Sequence, residues 1–262
     1  MEKRAWMFDQ NKKPDMRLCR HNYLESWAWK NYWTPEQPPC PNCAAELREL
    51  QLEKEALENR KKRIERAFHN SAFGPEYYNK SFDNYNIYDL HQAKTKKIIE
   101  TWAKGICHLD VPHSWLLLYG GPGTGKTHFA AASFSYIIEN GKICGYFEAD
   151  NLLDQIKKKG AKRDDTSQTY QEQIERLMEA NCIILDDFGV RLARKKTEID
   201  DIILFNLFNL AYKTQKALMM STTLTIDRFN HLFNPAILDR FQERLKTLNF
   251  TWPSFRERNK NQ

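Results

Sequence analysis

Apolar positions fall along this chain in short runs separated by stretches of helical spacing. Residues 115–119, Trp-Leu-Leu-Leu-Tyr, form a continuous apolar run that reads as a buried strand. Residues 128–140 place Phe129, Ala132, Tyr136 and Ile137 at helical spacing. Further strands are predicted over 142–147, 182–185, 217–221 and 245–252. Residues 90–104 and most of 150–180 read as helical, with a polar basic break at 157–163. Residues 44–68 contain neither Gly nor Pro and are rich in Glu, Lys, Arg, Leu and Ala, which predicts one charged helix. Its apolar seam is thin: Leu50, Leu57 and Ile64 recur every seven residues. Gly74-Pro75 ends it. Five strands with helices between most of them predict an α/β fold, a doubly wound parallel sheet.

The turn between the first strand and its helix carries the chemistry. Gly120-Gly121-Pro122-Gly123-Thr124-Gly125-Lys126-Thr127 fits G-x-x-x-x-G-K-[ST], the P-loop pattern, in the strand–loop–helix setting that distinguishes it from a chance glycine turn. Glycines let main-chain amides curl around a phosphate, and the helix N-terminus adds its positive end. The expected nucleotide contacts are Gly121, Pro122, Gly123, Thr124, Gly125, Lys126, Thr127 and His128. Lys126 is expected at the β- and γ-phosphates and the Thr127 hydroxyl at Mg²⁺.

The apolar residues 182–185 lead into Asp186-Asp187, a Walker B pattern. Asp186 is expected to hold Mg²⁺ through water, and Asp187 to orient or deprotonate the attacking water. Asp187 is one methylene shorter than the Glu common at that place, so slow hydrolysis is expected. Thr223 follows the next strand and is a candidate γ-phosphate sensor. All these residues fall at carboxyl ends of predicted strands, where open α/β sheets bind ligands. Arg240 is a candidate arginine finger acting on a neighbouring subunit, a head-to-tail contact that builds rings or spirals.

Composition narrows the setting. The 262 residues are 41% apolar, enough for a core, and 40 basic against 34 acidic residues give a formal charge of +6, which permits nucleic-acid binding without demanding it. No apolar run reaches the ~18 residues of a membrane span, and residues 1–6 lead into no signal-peptide core, so a cytoplasmic location is expected. Cysteines stay reduced there. Cys19-Arg20-His21 and Cys40-Pro41-Asn42-Cys43 offer three thiolates and one imidazole, the set Zn²⁺ favours in a closed structural site. The other reading is a free-thiol core with an incidental His21. Trp27, Trp29 and Trp33, between the two pairs, read better as a small core or a protein contact than as base-stacking platforms. Two basic runs are candidates for single-stranded DNA: Lys157, Lys158, Lys159, Lys162 and Arg163, and Arg191, Arg194, Lys195 and Lys196. Each also reads as a solvated face.

Over residues 81–256 the chain resembles the AAA+ domain of DnaC-type replicative helicase loaders and the related IstB-type transposition ATPases. The resemblance rests on Ser-Phe-Asp-Asn-Tyr at 81–85, the P-loop, Ile-Ile-Leu-Asp-Asp-Phe-Gly, Ile-Leu-Asp-Arg-Phe and Trp-Pro-Ser-Phe-Arg. Few residues follow Trp252, so no C-terminal lid is expected, which suits this subgroup. The paired cysteines and the charged helix resemble loader variants with a zinc-binding head. The resemblance implies three parts: a zinc-binding, helicase-contacting head over 1–45, a charged linker helix over 46–73, and an AAA+ ATPase domain over 74–262. It further implies ATP, Mg²⁺ and Zn²⁺ as cofactors, and a hexameric replicative DNA helicase and single-stranded DNA as partners. Arg240 matches the family's arginine finger and Arg256 its C-terminal nucleotide-sensing Arg, while Thr223 replaces the usual Asn of sensor 1. Two other readings are an IstB-like transposition helper and a zinc-headed DNA-binding adaptor that hydrolyses little ATP.

Overall fold

The computed structural model of the protein describes residues 41–108, 115–160 and 166–255. Cys19, His21, Cys40 and Arg256 lie outside the described residues, as does the side chain of Cys43, so the zinc expectation and the sensing Arg fall there too. Among the described residues no group of three or more His, Cys, Asp or Glu side chains could hold a metal ion.

The chain divides into two units, residues 1–62 and 63–262. In the first, the described element is helix α1 (Pro41–His69), which crosses the boundary. Leu50, Leu52 and Leu57 stand exposed on it, and Lys62 pairs with Glu58 one turn back at 2.8 Å.

The second unit is a five-stranded parallel sheet. Its strands are β1 (Trp115–Gly120), β2 (Cys144–Glu148), β3 (Cys182–Asp186), β4 (Ala217–Thr222) and β5 (Leu245–Phe250), in the order β2-β3-β4-β1-β5. The helices are α2 (Leu90–His108), α3 (Lys126–Glu139), α4 (Ala149–Gly160), α5 (Thr166–Leu177), α6 (Glu198–Lys213), α7 (Ile226–Asn230) and α8 (Pro235–Arg244). Successive side chains of a strand point to opposite faces, and both faces of this sheet are covered, so β1, β3 and β4 need apolar groups throughout. Leu116, Leu118, Ile184 and Met219 join Phe68, Ile99, Phe129 and Phe134 in one core. Trp115, Leu117, Ile183, Leu185, Leu218 and Met220 join Leu153, Ile174, Phe208 and Phe241 in the other.

The last turn of α1 belongs to the first of these cores. Phe68 is fully buried, with ring centroids 5.2 Å from Phe73 and 5.0 Å from Phe134. Arg63 donates to the Glu139 carbonyl at 2.6 Å, placing a cation on the negative end of α3. Element edges move from their predicted places for local reasons. β2 begins at Cys144 rather than 142, because Gly141 (φ 81°) closes α3 in a Schellman turn, with Lys142 N–H on the Ile137 carbonyl and Gly141 N–H on that of Ile138. β5 stops at Phe250 rather than 252, because Trp252 turns back onto the glycine loop.

A buried carboxylate ties α4, α6 and the segment after β3. Asp200 closes a capping box with Thr197 at the start of α6. Its other oxygen takes Lys157 of α4 at 2.5 Å and Arg191 at 3.5 Å. Burial pushes this carboxyl up, but the bonds from Lys157 and Thr197 outweigh it and hold the group below its ordinary value. A depressed folded value stabilises above the unfolded pKa and loses that contribution as pH falls through the folded one. Asp200→Asn should therefore cost on the order of 3 kcal/mol at neutral pH. In urea unfolding the deficit should shrink as pH drops below about 4.

Candidate nucleotide-binding site

The glycine loop is built so that its carbonyls face its own protein. The Thr124 carbonyl accepts from Trp252 Nε1 at 2.8 Å and from the Tyr85 hydroxyl at 3.3 Å. The Gly123 carbonyl accepts from Phe255 N–H at 2.9 Å, and the Gly125 carbonyl from Phe129 N–H at 3.0 Å. Lys126 Nζ donates to the carbonyls of Gly120 and Gly121 at 2.8 and 2.7 Å, and Thr124 Oγ1 also donates to that of Gly121. With carbonyls engaged, the groups left to an anion are amide donors at the start of α3. Gly123 (φ 73°) and Gly125 (φ 97°) are left-handed, and an added Cβ would meet Ser254 Oγ at 2.1 Å and the Tyr85 ring at 2.7 Å.

Beside the loop opens a cavity of about 480 Å³. Pro122, Gly123, Gly125, Lys126, Thr127 and His128 line it, and Asp187 and Thr223 reach it from just beyond the tips of β3 and β4. The rest of the lining is aromatic and polar, with Tyr77, Lys80, Asn84, Tyr85, Asn86 and Phe255. Gly121 is exposed at the loop's outer edge, and Thr124 is buried beneath it. His128 bonds the Ser81 carbonyl at 2.9 Å, and burial holds its imidazole below the usual value, hence neutral.

The two carboxylates differ. Asp186 is buried, and both its oxygens accept hydroxyl bonds: Oδ2 from Tyr146 at 2.9 Å and Oδ1 from Ser221. Asp187 is exposed to the cavity at φ 50°, a left-handed position that Asp tolerates better than most residues, with its N–H on Ser221 Oγ at 3.2 Å. Partial burial and the neighbouring Asp186 raise the Asp187 carboxyl above its usual value, and Lys126 opposes them. Burial likewise lowers the Lys126 ammonium, and both carboxylates oppose that. A cation, two acids and an amide-lined loop are thus electrostatically coupled around one space, an arrangement suited to a phosphate chain and a divalent cation.

Comparison with known families matches residues 41–262 to a model described as IstB-like ATP binding protein. The chain belongs to that IstB-like ATP-binding family. It is similar to the uncharacterized protein YdaV of Escherichia coli (strain K12), with 26% identity over 226 residues covering 81% of this chain and 85% of that protein. It is also similar to the replicative helicase loader DnaC of the same organism, 25% identical over 222 residues covering 81% and 82%. Two solved structures share its fold. A crystal structure of the DnaC helicase loader has a TM-score of 0.55 at 21% identity, over 67% of this chain and 99% of that one. That of DnaI has a TM-score of 0.56 at 15% identity, over 70% and 94%. The expected α/β P-loop class and five-stranded parallel sheet are thus the observed ones.

In this IstB-like protein the remaining candidates are scattered. Arg240 lies on α8 away from the cavity lining, donating to Asn209 Oδ1 at 2.8 Å and the Ala236 carbonyl at 2.6 Å, over the rings of Phe205 and Tyr212. Within the basic runs, Lys157 and Arg191 are engaged by Asp200, with Asp150 and Asp154 also beside Arg191, and Lys196 pairs with Asp201. Lys158, Arg194 and Lys195 are exposed. Lys162, Arg163 and the side chain of Lys159 lie outside the described residues. Ser221 and Tyr146 support the site without belonging to any motif, while Tyr85 and Trp252 lie in the segments 81–85 and 252–256 that carried the resemblance but were given no role at the loop.

Gly125→Ala tests the loop's packing. Its methyl group would press on Tyr85 at a left-handed position, so a loss of about 1–3 kcal/mol is expected in thermal unfolding. ATP affinity measured by calorimetry should fall with it.

Proposed function

We propose that this protein is an ATP-driven loader that delivers a hexameric replicative DNA helicase to single-stranded DNA. The observation that carries the proposal is the family's ATP-binding core joined to similarity with a DnaC loader across four-fifths of the chain. Support for nucleotide comes from the amide-lined loop, the buried Lys126 and the cavity they border.

The site's own residues divide the work. Loop amides and Lys126 bind the phosphates. Thr127 and, through water, Asp186 are the groups that would hold Mg²⁺, and their hydroxyl and carboxylate oxygens suit a hard cation. Bound Mg²⁺ would offset phosphate charge and polarise the γ-phosphoryl group. Asp187 accepts the proton of the attacking water, Thr223 meets the γ-phosphate, and hydrolysis is slow. Arg240 completes a neighbouring subunit's site in a head-to-tail assembly, with Arg256 a second nucleotide contact. In this reading Cys19, His21, Cys40 and Cys43 are the residues that would hold Zn²⁺, and the head they belong to would contact the helicase. Exposed Lys158, Arg194 and Lys195 track the single strand, and the protein works in the cytoplasm.

The family model's description favours a second reading, an IstB-like helper in transposition. Co-purification decides between them: the loader reading expects the chain to retain a hexameric helicase with ATP and to release it after hydrolysis. Capture of double-stranded DNA and a transposase instead would support the second.

Asp187→Asn separates binding from turnover. ATP affinity should stay within about threefold, while steady-state hydrolysis falls by about 100-fold or more. The raised Asp187 carboxyl also sets the pH profile. Wild-type turnover should begin to fall with acidification at a higher pH than an ordinary carboxylate would give, because protonation removes the acceptor. An adaptor with little hydrolysis would show neither effect.

A further inference from the structure

We infer that Tyr146 is a positioning residue for Asp186, holding the carboxylate from the β2 side, and that the Phe73 ring stacked on it fixes that hold. The inference rests on the nucleotide site proposed above. Tyr146 lies on β2, whose neighbour in the sheet is β3, the strand that carries Asp186. Its hydroxyl donates to Asp186 Oδ2 at 2.9 Å, while Ser221 of β4 holds Oδ1 from the other neighbouring strand. The carboxylate is therefore bracketed by two hydroxyls, one from each flanking strand. A carboxylate that touches a metal shell through water must present fixed lone pairs, and outer hydrogen bonds of this kind set their direction.

The phenol is suited to that duty. Its ring is pinned by Phe73, stacked at 3.4 Å between centroids and 14° between planes. Phe73 in turn contacts Phe68, the buried residue in the last turn of α1. A continuous run of packed rings thus connects the end of α1 to the carboxylate, so displacement of that end would be felt at Asp186.

A phenol that had merely found an acceptor in the core would affect stability alone. The test is calorimetric titration of ATP into the full chain, with Mg²⁺ varied and with EDTA, for wild type, Tyr146→Phe and Phe73→Leu. Tyr146→Phe keeps the stack and deletes the hydroxyl. It is expected to raise the Mg²⁺ concentration giving half of the metal-dependent gain in ATP affinity by about tenfold. Affinity in EDTA should stay within about twofold, since the loop and Lys126 are untouched. Phe73→Leu keeps the hydroxyl and frees the ring, and a shift of about threefold in the same direction is expected. Should Tyr146→Phe not fold, Phe73→Leu decides alone. An unchanged Mg²⁺ dependence in a folded variant overturns the inference while leaving the site's assignment standing. Failure of wild type to take up ATP in either condition overturns that assignment, and the inference with it.

Discussion

The site depends on which way the main chain of one loop faces. A glycine loop can offer carbonyls or amides to its concave side, and only amides attract a triphosphate. Here the choice is enforced from behind. Trp252 and Tyr85 meet at the Thr124 carbonyl, and Phe255 takes that of Gly123. Each bond is worth only about 0.5–1.5 kcal/mol net, but together they fix the polarity of the cavity before any ligand arrives. The donors come from segments before α2 and after β5, so the completed sheet is a precondition for the loop.

The sheet order does the rest. β1 sits between β4 and β5, and β3 lies beyond β4. Asp186 thus stands two strands from the loop, buried and bracketed, while Asp187 turns out to the cavity. The two adjacent residues acquire different environments because Asp186 is the last residue of β3, while Asp187 begins the turn in a left-handed conformation. Asp186 is hydrogen-bonded through both oxygens, whereas the Asp187 carboxyl, facing the cavity, is raised by partial burial and by its neighbour. The same economy of placement recurs at Asp200, where one carboxylate caps α6 and satisfies two cations.

Much of this was legible in the sequence where the constraint is local. The left-handed backbone at Gly123 and Gly125 demands glycine, so the loop announced itself. Strands buried on both faces must be apolar throughout, which marked β1, β3 and β4. What was not legible joins distant residues. The Tyr146–Asp186 bond spans 40 positions and the Trp252–Thr124 bond 128, and neither leaves a periodicity. Charge counting could not separate Lys157 and Arg191, which share the buried Asp200, from Lys158, which is exposed. The stop of β5 at Phe250 was likewise hidden, since Trp252 is as strand-like a residue as those before it.

Amide hydrogen exchange on the full chain addresses the loop's polarity most directly. With Mg²⁺ and ATP added, the amides of residues 121 and 123–127 should slow strongly, ahead of any change elsewhere in the sheet. Unchanged exchange across that loop at saturating nucleotide, in folded protein, would contradict the account.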